Sequence, residues 1–159
     1  MFVKGIEGSA QTEYTLNVKV IQEAGQALLA KAGKDTGLNS GNMKVLTGVM
    51  DFNVTIDDPN NFRKIVSLSW NLPNAVNPKY LKRDPVTGEY VDFAYNESTG
   101  EGAKWDPLTN LLTVYVRDNG RYDSDLTPGV VRDPAFIVDY DAPYVETCLL
   151  YTSDAADDK

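Results

Sequence analysis

Between residues 44 and 56, KVLTGVMDFNVTI, the apolar side chains fall on alternate positions. Leu46, Met50, Phe52, Val54 and Ile56 share one face, and Asp51, Asn53 and Thr55 share the other. A period of two is the spacing of an extended strand with one buried face; a helix would scatter these residues around its axis. The pattern repeats at residues 64–72, KIVSLSWNL, with Val66, Leu68, Trp70 and Leu72 against Ser67, Ser69 and Asn71. Between them, Asp57-Asp58-Pro59-Asn60-Asn61 is a strong turn, so the two segments are expected to form an antiparallel pair with one solvated face.

Other segments extend the same architecture. Residues 13–21, EYTLNVKVI, alternate with Tyr14, Leu16, Val18 and Val20 on one side. Residues 80–95 read as two aromatic-rich strands joined by Asp84-Pro85-Val86-Thr87-Gly88, in which Gly88 can take a positive φ. Pro73 and Pro78 bracket a rigid surface connection, and short strands follow around Ala103–Trp105 and at Leu111–Val116. Residues 21–34 are rich in Ala, Leu, Gln and Lys, which predicts a short helix near residues 21–32 or, as the alternative, a strand-flanking loop with partial helix, since Gly25 weakens a helix by about 1 kcal/mol relative to alanine. The polar run 34–42 reads as a loop. Short strands separated by Gly, Pro and Asn turns predict an all-β chain, an antiparallel β-sandwich-like single domain.

Length and charge bound the function. At 159 residues the chain is one ordinary domain with a real core. A net charge of −8 and no basic run longer than Lys82-Arg83 argue against a nucleic-acid backbone or an anionic membrane surface as partner. There is no histidine, which removes the usual proton shuttle, His-based nucleophile triads and nearly every catalytic zinc arrangement. The single Cys148 forms no internal disulfide. No apolar run is long enough to span a bilayer, and the start, MFVKGIEGSAQTEY, lacks the features of a signal peptide.

The last residues look foreign to the rest. CLLYTSDAADDK, from Cys148, resembles one reading frame of a transposon sequencing adapter, a contaminant at the ends of assembled metagenomic genes. On that reading the natural sequence stops near Thr147 and residues 148–159 are an artefactual tail. The alternative is a final strand at Cys148–Tyr151 followed by an acidic tail. Without the tail the chain loses three aspartates and one lysine and stays acidic.

The richest chemistry lies in residues 118–134, DNGRYDSDLTPGVVRDP. Oxygen ligands at short spacing suit a hard cation. Asp118, Asp123 and Asp125 could converge on calcium, with Asp133 closing the site and Asn119 adding a carbonyl oxygen. The competing reading is that the aspartates cap turns by accepting backbone N–H bonds, with Arg121 and Arg132 offsetting their charge. The spacing is not that of an EF-hand. Asp51 and Asp92 raise the alternative of a hydrolase with paired acids, which would require a shared cleft and a separation of about 5 to 9 Å. Trp105, Tyr115 and Tyr122 raise that of a carbohydrate- or protein-binding groove, whereas Phe52, Trp70 and Phe93 read as core.

Taken together, these motifs resemble the choice-of-anchor U domain, a module of large bacterial surface and secreted proteins. Its GxxDFxV strand corresponds to Gly48 through Val54. Its aromatic segment corresponds to Lys79-Tyr80, then Thr87-Gly88-Glu89-Tyr90-Val91-Asp92-Phe93-Ala94-Tyr95 and Ser98-Thr99-Gly100. Its closing Asp/Gly block corresponds to Asp118 through Asp125, Gly129 and Asp133-Pro134. Tyr90 stands where tryptophan is usual, and Asn119, Tyr122 and Ala135 where glycines are common, departures that alter loop shape and remove no carboxylate. The resemblance covers about residues 44–136. It implies a non-catalytic structural or spacer module, extracellular or at the bacterial cell surface, with neighbouring domains of a parent protein as partners and a glycan or protein ligand as the alternative. On this division residues 1–35 end a preceding module and 137–147 form a linker.

Overall fold

A computed structural model of the protein describes residues 14–141 in full and the backbone of residues 2–6. Its elements are β1 (Phe2–Ile6), β2 (Tyr14–Gln22), helix α1 (Gln26–Thr36), β3 (Met43–Val45), β4 (Val49–Ile56), β5 (Ile65–Asn71), β6 (Pro78–Arg83), β7 (Tyr90–Asp92), β8 (Gly102–Asp106), β9 (Leu111–Arg117) and β10 (Val130–Tyr140). They build two sheets, β1-β5-β9-β8 and β2-β4-β10-β6-β7, with β3 also pairing β10. All pairs of named strands are antiparallel, so the expected β-sandwich-like fold is what forms.

Alternation explains the packing. Phe52, Val54 and Ile56 of β4 and Val131, Ala135 and Ile137 of β10 face Val66, Leu68 and Trp70 of β5 and Leu112, Val114 and Val116 of β9 across the inter-sheet core. Phe52 and Val54 have no exposed surface, and burying a side chain of this kind is worth about 1.5–3 kcal/mol. A second cluster lies on the other face of the larger sheet, where Leu28, Leu29 and Ala32 of α1 cover Val49, Leu81, Tyr90, Phe136 and Val138. Asp35 fixes the helix there by accepting the Tyr90 backbone N–H at 3.0 Å.

Several expectations shift. The helix begins at Gln26, so Gly25 is its extended N-cap and not an interior weakness; Gly37, at φ 81°, ends it. The segment 44–56 is broken: β3 and β4 are separate, and Gly48 between them leaves no room for a side chain against the Gln22 carbonyl. β4 and β5 are not a hairpin. β4 pairs with β2 and β10, β5 pairs with β1 and β9, and the turn between them carries the chain from one sheet to the other. One buried face per strand fits strands that face each other as well as strands that lie side by side, so alternation alone does not choose.

β10 is the largest addition. Its eleven residues sit between β4 and β6, and residues 137–140, read as the start of a linker, are its last part. β2 and α1, within the segment read as the end of a preceding module, are built into the same sheet and its covering layer. The alternative strand at Cys148–Tyr151, the tail at 148–159 and linker residues 142–147 lie outside the described residues. Among those described, no helix is long and apolar enough to cross a membrane.

Candidate functional site

The segment after β9 turns sharply: Gly120 N–H bonds the Arg117 carbonyl, and Asn119 takes φ 59°, a left-handed geometry that asparagine tolerates better than most residues. This turn drives the Asp118 carboxylate into the protein, with 1% of its surface exposed. Its Oδ2 accepts two backbone N–H groups, Arg63 at 2.8 Å and Gly129 at 2.8 Å. One side chain thus ties the β4–β5 crossing, the end of β9 and the entry to β10. Gly129 is required at its place: φ is +87°, and a Cβ would collide with the Phe62 ring.

Asp123 is organised in the same way. Oδ2 accepts Asn119 N–H at 2.8 Å, and Oδ1 accepts Asp125 N–H at 2.9 Å and Arg132 N–H at 3.0 Å. Asp125 caps Thr127 N–H at 2.8 Å. Burial raises the Asp123 carboxyl to about 6, its three backbone N–H bonds opposing and the nearby Asp118 charge reinforcing the rise. The sign follows from linkage. A carboxyl with a higher folded than unfolded pKa binds more protons when folded, so its contribution to stability declines as pH rises from about 4 to about 6 and then levels off. A carbon-detected NMR titration of the Asp123 carboxyl should show a midpoint near 6; a midpoint below 4 would mean that the backbone donors outweigh desolvation.

Asp133 has different partners. It projects from β10 into the inter-sheet core with no exposed surface, accepting the Tyr80 hydroxyl at 2.7 Å on Oδ2, while Lys82 Nζ stands 2.9 Å from Oδ1. Lys82 is also fully buried; its ammonium donates to the Tyr122 carbonyl and lies 5.0 Å from the Phe93 ring centre and 5.4 Å from that of Tyr122. Desolvation raises the Asp133 carboxyl, against the lowering effects of the Lys82 charge and of the polar contacts with Tyr80 and Lys82. Burial likewise holds the Tyr80 phenol well above its ordinary value.

The five candidate calcium ligands therefore divide. Asp118, Asn119, Asp123 and Asp125 share one loop, and Asp133 belongs to the Lys82 pair. Among the described residues, no group of three or more acidic, His or Cys side chains is arranged to hold a metal ion. Two oxygens of the loop itself, Asp118 Oδ1 and Asn119 Oδ1, are buried and lack a hydrogen-bond partner, as does Asp133 Oδ1.

Asp51 and Asp92 do not face one cleft. Asp51 lines a shallow hollow of about 330 Å³ with Asn17, Lys19 and Asn53, and Arg132 grips it through Nε at 3.0 Å and a terminal nitrogen at 2.8 Å. Asp92 lines a separate hollow with Phe93, Glu101 and Tyr122 and pairs with Lys79 at 3.1 Å. Trp105, Tyr115 and Tyr122 are likewise not brought together as a strip. Trp105 and Tyr122 pack against the inter-sheet core, whereas alternation along β9 sends Tyr115 to the opposite face, against Tyr95.

Lys82 and Tyr80 escaped the sequence reading, because YLKRD looks like a surface strand end. The available signal was position: Tyr80 and Lys82 lie two residues apart and share a face. The clamp of Arg121 on Asp84, at 3.0 and 2.7 Å, was equally hidden. It holds the Asp84 carboxyl down at about 2, the Arg121 hydrogen bond outweighing burial, and ties the β6–β7 turn to the aspartate loop. Neither the family models, nor the curated proteins, nor the solved structures include a match to this chain.

Proposed function

We propose that this chain is a non-catalytic structural or spacer module of a bacterial extracellular or cell-surface multidomain protein, as its resemblance to the choice-of-anchor U domain implies. The supporting observation is how its acids are used. Asp118 and Asp123 together accept the backbone N–H groups of Arg63, Gly129, Asn119, Asp125 and Arg132. Carboxylates committed to their own backbone hold a shape and are poorly placed to act on a substrate. The neutralisation of Asp51 by Arg132 and of Asp92 by Lys79 points the same way.

Hydrogen exchange tests this reading. In metal-free buffer the five amides should be protected to a degree comparable with the β9 ladder. Fast exchange at all five without metal would defeat the self-held loop.

Calcium is the second reading, favoured by the unpartnered Asp118 Oδ1 and Asn119 Oδ1. Binding to the folded state alone raises apparent stability, by about 2.7 kcal/mol at a hundredfold excess over Kd. A self-held loop predicts no calorimetric heat and an unchanged melting temperature at millimolar calcium; a saturable heat with a rise in melting temperature would instead assign the loop to calcium.

A further inference from the structure

Lys82 and Asp133 carry chemistry that a spacer role does not require. Both side chains are fully buried, 2.9 Å apart from Nζ to Oδ1, on neighbouring strands β6 and β10. Lys82 is in register with Ala135, which sets Asp133 on the cross-strand diagonal, within reach of a long side chain. Although Nζ is close, Oδ1 receives no aligned hydrogen bond. Nζ thus lies at hydrogen-bonding distance from the carboxyl group but off the axis of a well-directed ammonium–carboxylate bond.

We propose that Lys82 and Asp133 are joined by an intramolecular amide, formed by condensation of the ε-amine with the γ-carboxyl group. The surroundings already match the product. The Tyr80 hydroxyl donates to Oδ2 at 2.7 Å, where the amide carbonyl oxygen would lie, and the Tyr122 carbonyl already accepts from Nζ, where the amide N–H would point. Phe93 and Tyr122 wall the pair with aromatic rings.

The steps balance. In a dry site a separated charge pair is penalised, so a proton passes from the ammonium to Oδ1, leaving a neutral amine beside a neutral acid. Burial, which raises the Asp133 carboxyl, favours that transfer. The amine lone pair then forms the bond to Cγ while Tyr80 stabilises the negative charge developing on Oδ2. A second proton moves from nitrogen to Oδ1, the Cγ–Oδ1 bond breaks with its electron pair, and Oδ1 leaves as water. One C–N bond is formed and one water is lost, with no oxidant, reductant or co-reactant. Fixing amine and carboxyl groups on adjacent strands supplies the proximity such condensations otherwise lack.

Intact-mass spectrometry of the purified full-length chain tests this without a variant. The folded protein should weigh less than its sequence by about 18 Da, one water. Its tryptic map should lack cleavage after Lys82 and contain a branched peptide joining Lys82 to Asp133. Lys82→Arg, which retains a cation that does not condense, should restore the full sequence mass. A wild-type chain at full sequence mass, cleaved normally after Lys82, would overturn the proposal. So would a loss of water that persists in Lys82→Arg.

Discussion

Asp133→Ala is expected to destabilise the protein by about 3–5 kcal/mol, the cost of leaving the fully buried Lys82 amine without its partner. The substitution removes the partner of a lysine with no exposed surface and of the Tyr80 hydroxyl, and leaves a hollow in the inter-sheet core. The Tyr122 carbonyl and two aromatic rings remain around the amine, too few to replace a carboxylate. Against a small domain's total stability of about 5–15 kcal/mol, that is a large share. Chemical denaturation should show a lower midpoint. The pair Lys82→Met with Asp133→Leu should recover the part of the loss that comes from the stranded charge, because well-packed apolar replacements of a buried pair are often neutral. An Asp133→Ala chain as stable as wild type would mean that water reaches the lysine and the core is not dry.

Asp118→Ala should cost about 2–4 kcal/mol, since a buried donor left without an acceptor costs about 1–3 kcal/mol and this change strands the buried Gly129 N–H and the partly buried Arg63 N–H. The donors belong to Arg63 and Gly129, distant in sequence, so the effect should be non-local. Exchange should accelerate at the β4–β5 crossing and at the start of β10 together. Asp118→Asn distinguishes the roles of shape and charge. Its carbonyl oxygen can still accept both N–H groups, so a loss of less than half that of alanine is expected. An alanine effect confined to residues 118–121 would show that the crossing is held by packing of Phe62 and not by the carboxylate.

The sequence made individual strands readable wherever one face is buried. β4, β5 and β9 alternate and form close to their expected places, whereas β2 forms in its place with only Tyr14 and Leu16 packed against the core and Val18 and Val20 of the same side left exposed. Partnership was not readable, because alternation is identical for strands that pair and strands that face each other, and β4 and β5 do the latter. β10 was hidden for two reasons. Asp133-Pro134 reads as a break, and Phe136, Ile137 and Val138 are all buried, since α1 covers one face and the other sheet covers the opposite one. A strand buried on both faces loses its period of two. In the aspartate loop, residue type announced turn chemistry, but Arg63 and Arg132 became acceptors' partners only through the fold. Lys82 gave no signal of its own, because a lone lysine near a strand end is ordinarily solvated.

The position of β10 also sets an order of events during synthesis. It is the last strand described, yet it fills the middle of the larger sheet and hydrogen-bonds β4, β6 and β3. A ribosome-bound chain that has emerged only as far as β9 can assemble β5, β9 and β8, whereas β4 and β6 must wait with open edges for residues 130–140. Exposed strand edges recruit other chains, so nascent or truncated forms ending before Val130 should be the aggregation-prone species of this protein.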